Sequence, residues 1–350
     1  MNYKHVLVID DSVTSLKLIE KVLKPYYKVS LIISAVQALK FLSKNTPDLI
    51  LLDTDISNIN GYEILRNIKE KPQLSNIPII LLINMQNYEN QIKGIEFFAS
   101  DFIIKPIIPE IMLTRIKMHL KFCEYKNHLE NKVNEKTKVI EHLQDVMMLS
   151  LAELVECRDE NTGGHVKRTA QYVKILTEDI YEAGLYNDIL TDEYIRDIIR
   201  SAPLHDLGKI GINDSTLLKT GAFDNEEFEY MKNHAELGGQ TIQKMINETN
   251  VESFLHIAKD MAHYHHERWD GSGYPCGLKG EEIPLSARIM AIADVYDALT
   301  TKRPYKDAFE HDVALNIRAD GKGKMFDPKI VEVFEKKHHR FKLINLQYNK

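Results

Sequence analysis

Between residues 1 and 122 the chain alternates two kinds of segment. Short apolar runs stand at Val6–Ile9, Val29–Ile33, Leu49–Leu52, Ile79–Ile83 and Phe102–Ile104. Helix-length amphipathic stretches separate them. Continuous apolar runs of this length predict strands buried on both faces. Five of them, in strict alternation with helices, predict a doubly wound α/β fold with a five-stranded parallel sheet. In such sheets the working residues lie just past the strand carboxyl ends. Here those positions carry Asp10, Asp11, Asp53, Asn84 and Lys105.

The pattern then changes. Residues 110–157 contain no Gly and no Pro, and apolar residues recur at Leu129, Val133, Ile140, Leu143, Met147 and Leu154. These spacings fit a heptad interrupted by Lys136 and Ser150. They predict a long connecting helix, either one strand of a parallel coiled coil in a homodimer or a solvated linker packed within its own chain. Residues 150–345 carry helical periodicity and almost no strand alternation. The expected layout is therefore residues 1–122, a linker at 123–149, and an all-α region at 150–345. A length of 350 residues suits two domains.

Composition narrows the class. Charged residues make up 27% and hydrophobic residues 44%, as in ordinary globular chains. No apolar run reaches the roughly 20 residues of a membrane helix. The N-terminus lacks a signal-peptide pattern, and Cys123, Cys157 and Cys276 form no CxxC pair. A cytoplasmic protein without membrane insertion is expected. The net charge of −6 divides into +3 over residues 1–122 and −9 beyond. The acidic second part has no basic recognition helix and argues against direct DNA binding.

Three carboxylates at one sheet edge repel one another unless a cation lies among them, and all-oxygen ligands suit Mg²⁺. Beside a lysine, one of them is a plausible phosphoryl acceptor. The stretches VLVIDDS, DLILLDTDISNINGYEIL, IPIILL and SDFIIKP resemble a response-regulator receiver domain over residues 4–122. The resemblance implies Asp53 as the phosphorylation site, with a sensor histidine kinase as donor. It implies Asp10, Asp11 and Asp53 around magnesium, Lys105 as the phosphoryl contact, and Phe102 as the switch aromatic. Two positions depart from the pattern. Ile83 stands where the family has a hydroxyl residue, and Ser57 where it has proline. Isoleucine cannot donate a hydrogen bond, so a weakened switch is expected.

Seven of the fourteen histidines fall between His165 and His266. His205-Asp206 in SAPLHDLGKIGI, with His165, His234, His265, His266 and Asp294, makes a nitrogen and oxygen ligand set without thiolate. Such donors suit Fe, Mn or Zn, and their number suffices for two ions. His256, His263 and His311 read as packed or exposed histidines, and His338 and His339 as tail charge. No Ser/His/Asp pattern or phosphate-binding P-loop competes. The segment Gly321–Lys324 reads as a turn before Phe326-Asp327-Pro328.

HDLGKIGI, HHERWDGSGYP, IPLSARIMAIADVYDALTTKRPYK and FDP, in that order, resemble the HD-GYP branch of the HD phosphohydrolases over residues 150–335. The resemblance implies metal-assisted hydrolysis of cyclic di-GMP to pGpG or GMP, with iron or manganese. It implies metal ligands at His165, His205, Asp206, His234, His265, His266 and Asp294, with Asp206 bridging. Asp206 and Lys209 would be catalytic, Lys209 meeting the scissile phosphate. Arg303 and Lys306 would hold substrate phosphate, Tyr274 would line the cleft, and GGDEF-domain proteins would be partners. Asn161 stands where three-metal members have glutamate, with Glu160 one residue off, so two metals are expected. There are two alternatives: a poorly turning-over metal-containing scaffold, or a hydrolase of another cyclic dinucleotide such as cyclic GMP-AMP.

Overall fold

The computed structural model describes residues 3–56, 61–84, 99–159, 164–219, 221–249, 254–302 and 308–348. The chain forms two compact units, Met1–Lys138 and Val139–Lys350.

In the first unit the apolar runs become β1 (His5–Ile9), β2 (Lys28–Ile32), β3 (Leu49–Asp53), β4 (Ile79–Asn84) and β5 (Asp101–Lys105). All pairings are parallel, in the order β2-β1-β3-β4-β5. Successive side chains leave opposite faces of a strand. Leu7, Ile9, Ile50, Leu52, Leu81 and Ile83 thus belong to one core layer, while Val6, Val8, Leu49, Leu51, Ile80 and Leu82 belong to the other. The first layer is covered by α2 (Ala35–Leu42) and α3 (Gly61–Lys69). The second is covered by α1 (Val13–Leu23) and by Met112, Ile116 and Leu120 of α4 (Pro109–Asp159). The strand order reverses around β1 and β3, and their carboxyl ends open the crevice where Asp10 and Asp53 lie.

The connecting helix is α4, 51 residues long. The second unit continues with α5 (His165–Glu182), α6 (Asp192–Ser201), α7 (Asp214–Leu217), α8 (Asn225–Thr249), α9 (Phe254–Tyr264), α10 (Leu285–Thr300), α11 (His311–Asp320), α12 (Pro328–Lys337) and α13 (His339–Tyr348). No strand occurs among its described residues; Lys322 and Phe326 form an isolated bridge. That bridge closes the turn expected before Phe326-Asp327-Pro328. The core centres on α10, whose Tyr296 meets Tyr172 of α5 edge-on at 5.0 Å between ring centres. Phe341 of α13 stacks on Tyr172 at 4.8 Å. This core holds α5 and α10 side by side, which brings His165 to Asp294.

His205 and Asp206 fall between two 3-10 turns, Ala202–Leu204 and Leu207–Gly211. One reading of the sequence needs correction. His338 is not mere tail charge. Its ring hydrogen-bonds His311 at 2.8 Å, and His311 bonds the hydroxyl of buried Tyr296 at 2.7 Å.

Candidate metal centre

The 3-10 turn after Asp206 lies directly on α8. A Cβ on Gly208 would fall 1.9 Å from the His234 carbonyl oxygen and 2.5 Å from the Gly238 nitrogen. Only glycine allows that approach, and the approach brings Asp206 to His234. From the C-terminal end of α9, His265 and His266 reach the same place. From α5 and α10 come His165 and Asp294.

The histidine and aspartate side chains sort into two triads, His165, His205 and Asp294, and His234, His265 and His266. Within each, one ligand atom per residue lies within 4.8 Å of the others. Asp206 stands between the triads and divides its carboxylate. Its Oδ2 is 3.4 Å from His205 Nε2 and 3.9 Å from His165 Nε2. Its Oδ1 is 3.5 Å from His234 Nε2 and 3.7 Å from His265 Nε2. The Lys209 ammonium meets Oδ2 at 2.7 Å.

The far side of four rings is occupied. His165 Nδ1 meets Asp297 Oδ2 at 2.8 Å and His205 Nδ1 the Ala202 carbonyl at 2.9 Å. His234 Nδ1 meets the Met231 carbonyl at 2.7 Å and His265 Nδ1 the Met261 carbonyl at 3.0 Å. Each Nδ1 is placed to donate to oxygen, which turns Nε2 toward the centre, where His165 and His205 Nε2 lie 3.3 Å apart and His234 and His266 Nε2 3.1 Å apart. Burial holds His234 below the ordinary imidazole range and lowers His265 to about 3. Burial, then the neighbouring His265 and His234, holds His266 well below that range. These three rings are neutral near pH 7, the form that ligates metal. His165 differs. Burial opposes its charged form, but the Asp297 carboxylate overcomes burial and raises it to about 9. Its Nε2 faces Asp206 and Asp294, so a proton there occupies a place that suits a cation. Asp206 itself stays well below the usual carboxylate range, because Lys209 and His205 outweigh its burial.

In the first unit Asp10, Asp11 and Asp53 likewise place one oxygen each within 4.8 Å of the others. Lys105 Nζ lies 2.6 Å from Asp53 Oδ2 and 3.2 Å from Asp10 Oδ2. Burial raises the Asp53 carboxyl, against the pull of Lys105. Ile83 is buried in the sheet's core layer and offers no hydroxyl.

Comparison with known proteins gives two family matches. The response regulator receiver domain matches residues 6–117, and the HD domain residues 151–330. A probable cyclic di-GMP phosphodiesterase of Vibrio cholerae is 38% identical over 337 residues, covering 94% of this chain and 76% of that one. The cyclic di-GMP phosphodiesterase response regulator RpfG of Xanthomonas campestris is 32% identical, with 94% and 86% covered. The chain belongs to the HD-GYP response regulators. A third relative, the 3'3'-cGAMP-specific phosphodiesterase 2 of Vibrio cholerae, is 42% identical over 188 residues, covering 53% of this chain and 33% of that one.

The HD-GYP unit fits metal on its own geometry. His265 Nε2 is buried and has no hydrogen-bond partner among the described residues. An orphaned imidazole nitrogen facing a carboxylate costs free energy that a cation between them would recover. Tyr274, expected in the cleft, lies beside His266 with ring centres 4.8 Å apart and planes tilted by 33°. Arg303, Lys306, Asn161, Glu160 and Ser57 lie outside the described residues.

Three positioning groups escaped the sequence reading. Asp297 holds His165 and accepts two hydrogen bonds from Arg168, at 2.7 and 2.9 Å. Its spacing of three from Asp294 puts both on one face of α10, a signal present in the sequence. Glu156 of α4, buried, accepts the backbone N–H of His165 at 2.6 Å and of Val166 at 3.3 Å. It caps α5, whose own N-cap residue, Gly164, has no side chain to do so. No pattern in the sequence marks it.

Proposed function

We propose that the HD-GYP unit hydrolyses cyclic di-GMP to pGpG, GMP or both, using two iron or manganese ions. One observation carries the reading: a single carboxylate, Asp206, turns one oxygen to each of two ligand triads. His165, His205 and Asp294 would hold one ion, His234, His265 and His266 the other, and Asp206 both. When bound, such ions supply Lewis acidity that polarises a phosphodiester and acidifies water. The chain's own groups do the rest. Lys209 carries its ammonium at the lip of the site, where it would meet charge on the phosphoryl oxygens. Tyr274 walls the cleft, and Arg303 and Lys306 would hold substrate phosphate. Asn161 in place of glutamate supports two ions rather than three.

The test is turnover and metal content of anaerobically purified protein. About two ions per chain and linear product are expected, with Asp206→Ala losing both metal and at least a hundredfold in rate. A metal-loaded protein that cleaves no cyclic dinucleotide would sink the reading. Hydrolysis of a mixed cyclic dinucleotide is the second reading, supported by the 42% identical relative.

The first unit, over residues 1–122, would accept a phosphoryl group on Asp53 from a sensor kinase. Mg²⁺ would sit among Asp10, Asp11 and Asp53, and Lys105 would contact the phosphoryl oxygens. Because Ile83 donates nothing, coupling of that event to output is weak in this reading. The linker at 123–149 would join it to the output region at 150–345, in the cytoplasm. The linker would also pair two chains. Leu129, Val133, Ile140, Leu143, Met147 and Leu154 are each 55–65% exposed on α4. On the other side of the same helix, Met148, Ala152 and Val155 are packed. At about 100° per residue, Met147 and Leu154 leave the helix on the side away from Ala152. A seam repeating every three and four residues is complementary to itself, and so supports a parallel second copy.

A further inference from the structure

Phe228, in the first turn of α8, is 46% exposed. A phenyl ring in solvent beside a polar centre adds nothing to the core. It lies 6.5 Å from the Tyr274 ring, at 81°, and Tyr274 is the ring beside His266. The Lys232 ammonium, one turn on from Phe228, lies 4.8 Å from the Phe228 ring centre and 5.4 Å from that of Tyr274. Both distances are in cation–π range. Its carboxylate partner is Glu229, at 2.6 Å, whose side chain is 69% exposed. The Lys232 side chain is 26% exposed, and a pair with one partner in solvent is weak enough to be exchanged for a ligand.

The tyrosine is held from beneath. Buried Glu267 accepts the backbone N–H groups of Cys276, Gly277 and Leu278 at 2.7, 3.1 and 3.1 Å. Gly273 packs on the same backbone, and a Cβ there would fall 2.3 Å from the Arg268 nitrogen. The loop is therefore folded around one carboxylate, and Tyr274 is a preset wall.

We propose that Phe228, Lys232 and Tyr274 form a purine subsite that favours guanine. The inference rests on the phosphodiesterase reading of the metal centre. Only a sugar separates a nucleotide's base from its phosphate. A phosphate at the histidine Nε2 atoms therefore places its base at the ring next to His266. Stacking on aromatic rings accepts any base. Lys232 supplies the discrimination. Guanine presents two acceptors on one edge, N7 and O6, whereas adenine presents N7 and an amino donor. An ammonium has three donors and no acceptor, so it matches guanine and opposes the adenine amine.

The test is steady-state hydrolysis by the full-length, manganese-loaded protein. The substrates are cyclic di-GMP, cyclic di-AMP and 3'3'-cGAMP; the proteins are wild type, Lys232→Met and Phe228→Leu. For Lys232→Met, KM for cyclic di-GMP should rise about tenfold with kcat within about twofold, the loss of one charge-assisted hydrogen bond. The kcat/KM ratio between guanine and adenine substrates should narrow by a similar factor. Phe228→Leu should raise KM for all three by about threefold to tenfold. Suppose wild type cleaves cyclic di-GMP, and both variants keep its KM and its base preference. Then the subsite is overturned and the hydrolase reading stands. A Lys232→Met protein that loses metal would place the residue in the site's framework, which also overturns it. If metal-loaded wild type cleaves none of the three, the hydrolase reading falls and the subsite with it.

Discussion

Asp297 decides which nitrogen of His165 faces the centre. Its carboxylate takes the Nδ1 side, and Arg168 clamps the carboxylate in turn. Replacing it by asparagine keeps a polar group of the same size but removes the charge that orients the ring. Asp297→Asn should weaken metal binding about 10- to 100-fold, read by manganese titration against a chelator of known affinity. Helical circular dichroism should be unchanged; an unaltered affinity would show that Asp297 serves packing alone. The residue scale is also where the sequence was least complete. Asp294 and Asp297 are spaced alike for one helix face, and nothing in the spacing separates a ligand from its support. The difference appears only when His165, 132 positions earlier, is folded against them. His311 and His338 show the same limit: their contact joins α11 to the turn before α13.

At the scale of elements, the turn Leu207–Gly211 matters more than its length suggests. It sets Asp206 against α8 through the one residue that can approach the His234 carbonyl. Gly208→Ala forces the two backbones apart. The expected result is a loss of about 2–3 kcal/mol in urea unfolding and fewer than two bound ions per chain by metal analysis. Retention of both ions would mean that the turn can shift without carrying Asp206. The strands were legible to within a residue or two, because strands buried on both faces leave continuous apolar runs. The setting of His205-Asp206 was not. A 3-10 turn has no apolar period of its own, and this one is set against a neighbouring helix at Gly208.

For the whole molecule the decisive element is α4. One side of its second half is packed, while the seam residues from Leu129 to Leu154 are 55–65% exposed. The double variant Leu143→Glu, Met147→Glu places charge in the middle of the seam without touching Ala152 or Val155. Light scattering should fall from two chains to one, with helical content within the second unit preserved. A wild-type protein that is monomeric at micromolar concentration would refute the pairing. The long helix was legible from spacing; which side of it is covered by its own unit was not, because covering depends on Leu204, Ile242 and Phe254, which lie far along the chain.

The order of the candidate ligands along the chain has a consequence for how the protein is made. The triad His234, His265 and His266 is complete once residue 266 has left the ribosome. The other triad waits for Asp294, although its first member, His165, is made before either. During synthesis the later-starting cluster would therefore be the first able to capture an ion. The earlier-starting one would lack its third side chain until α10 is made.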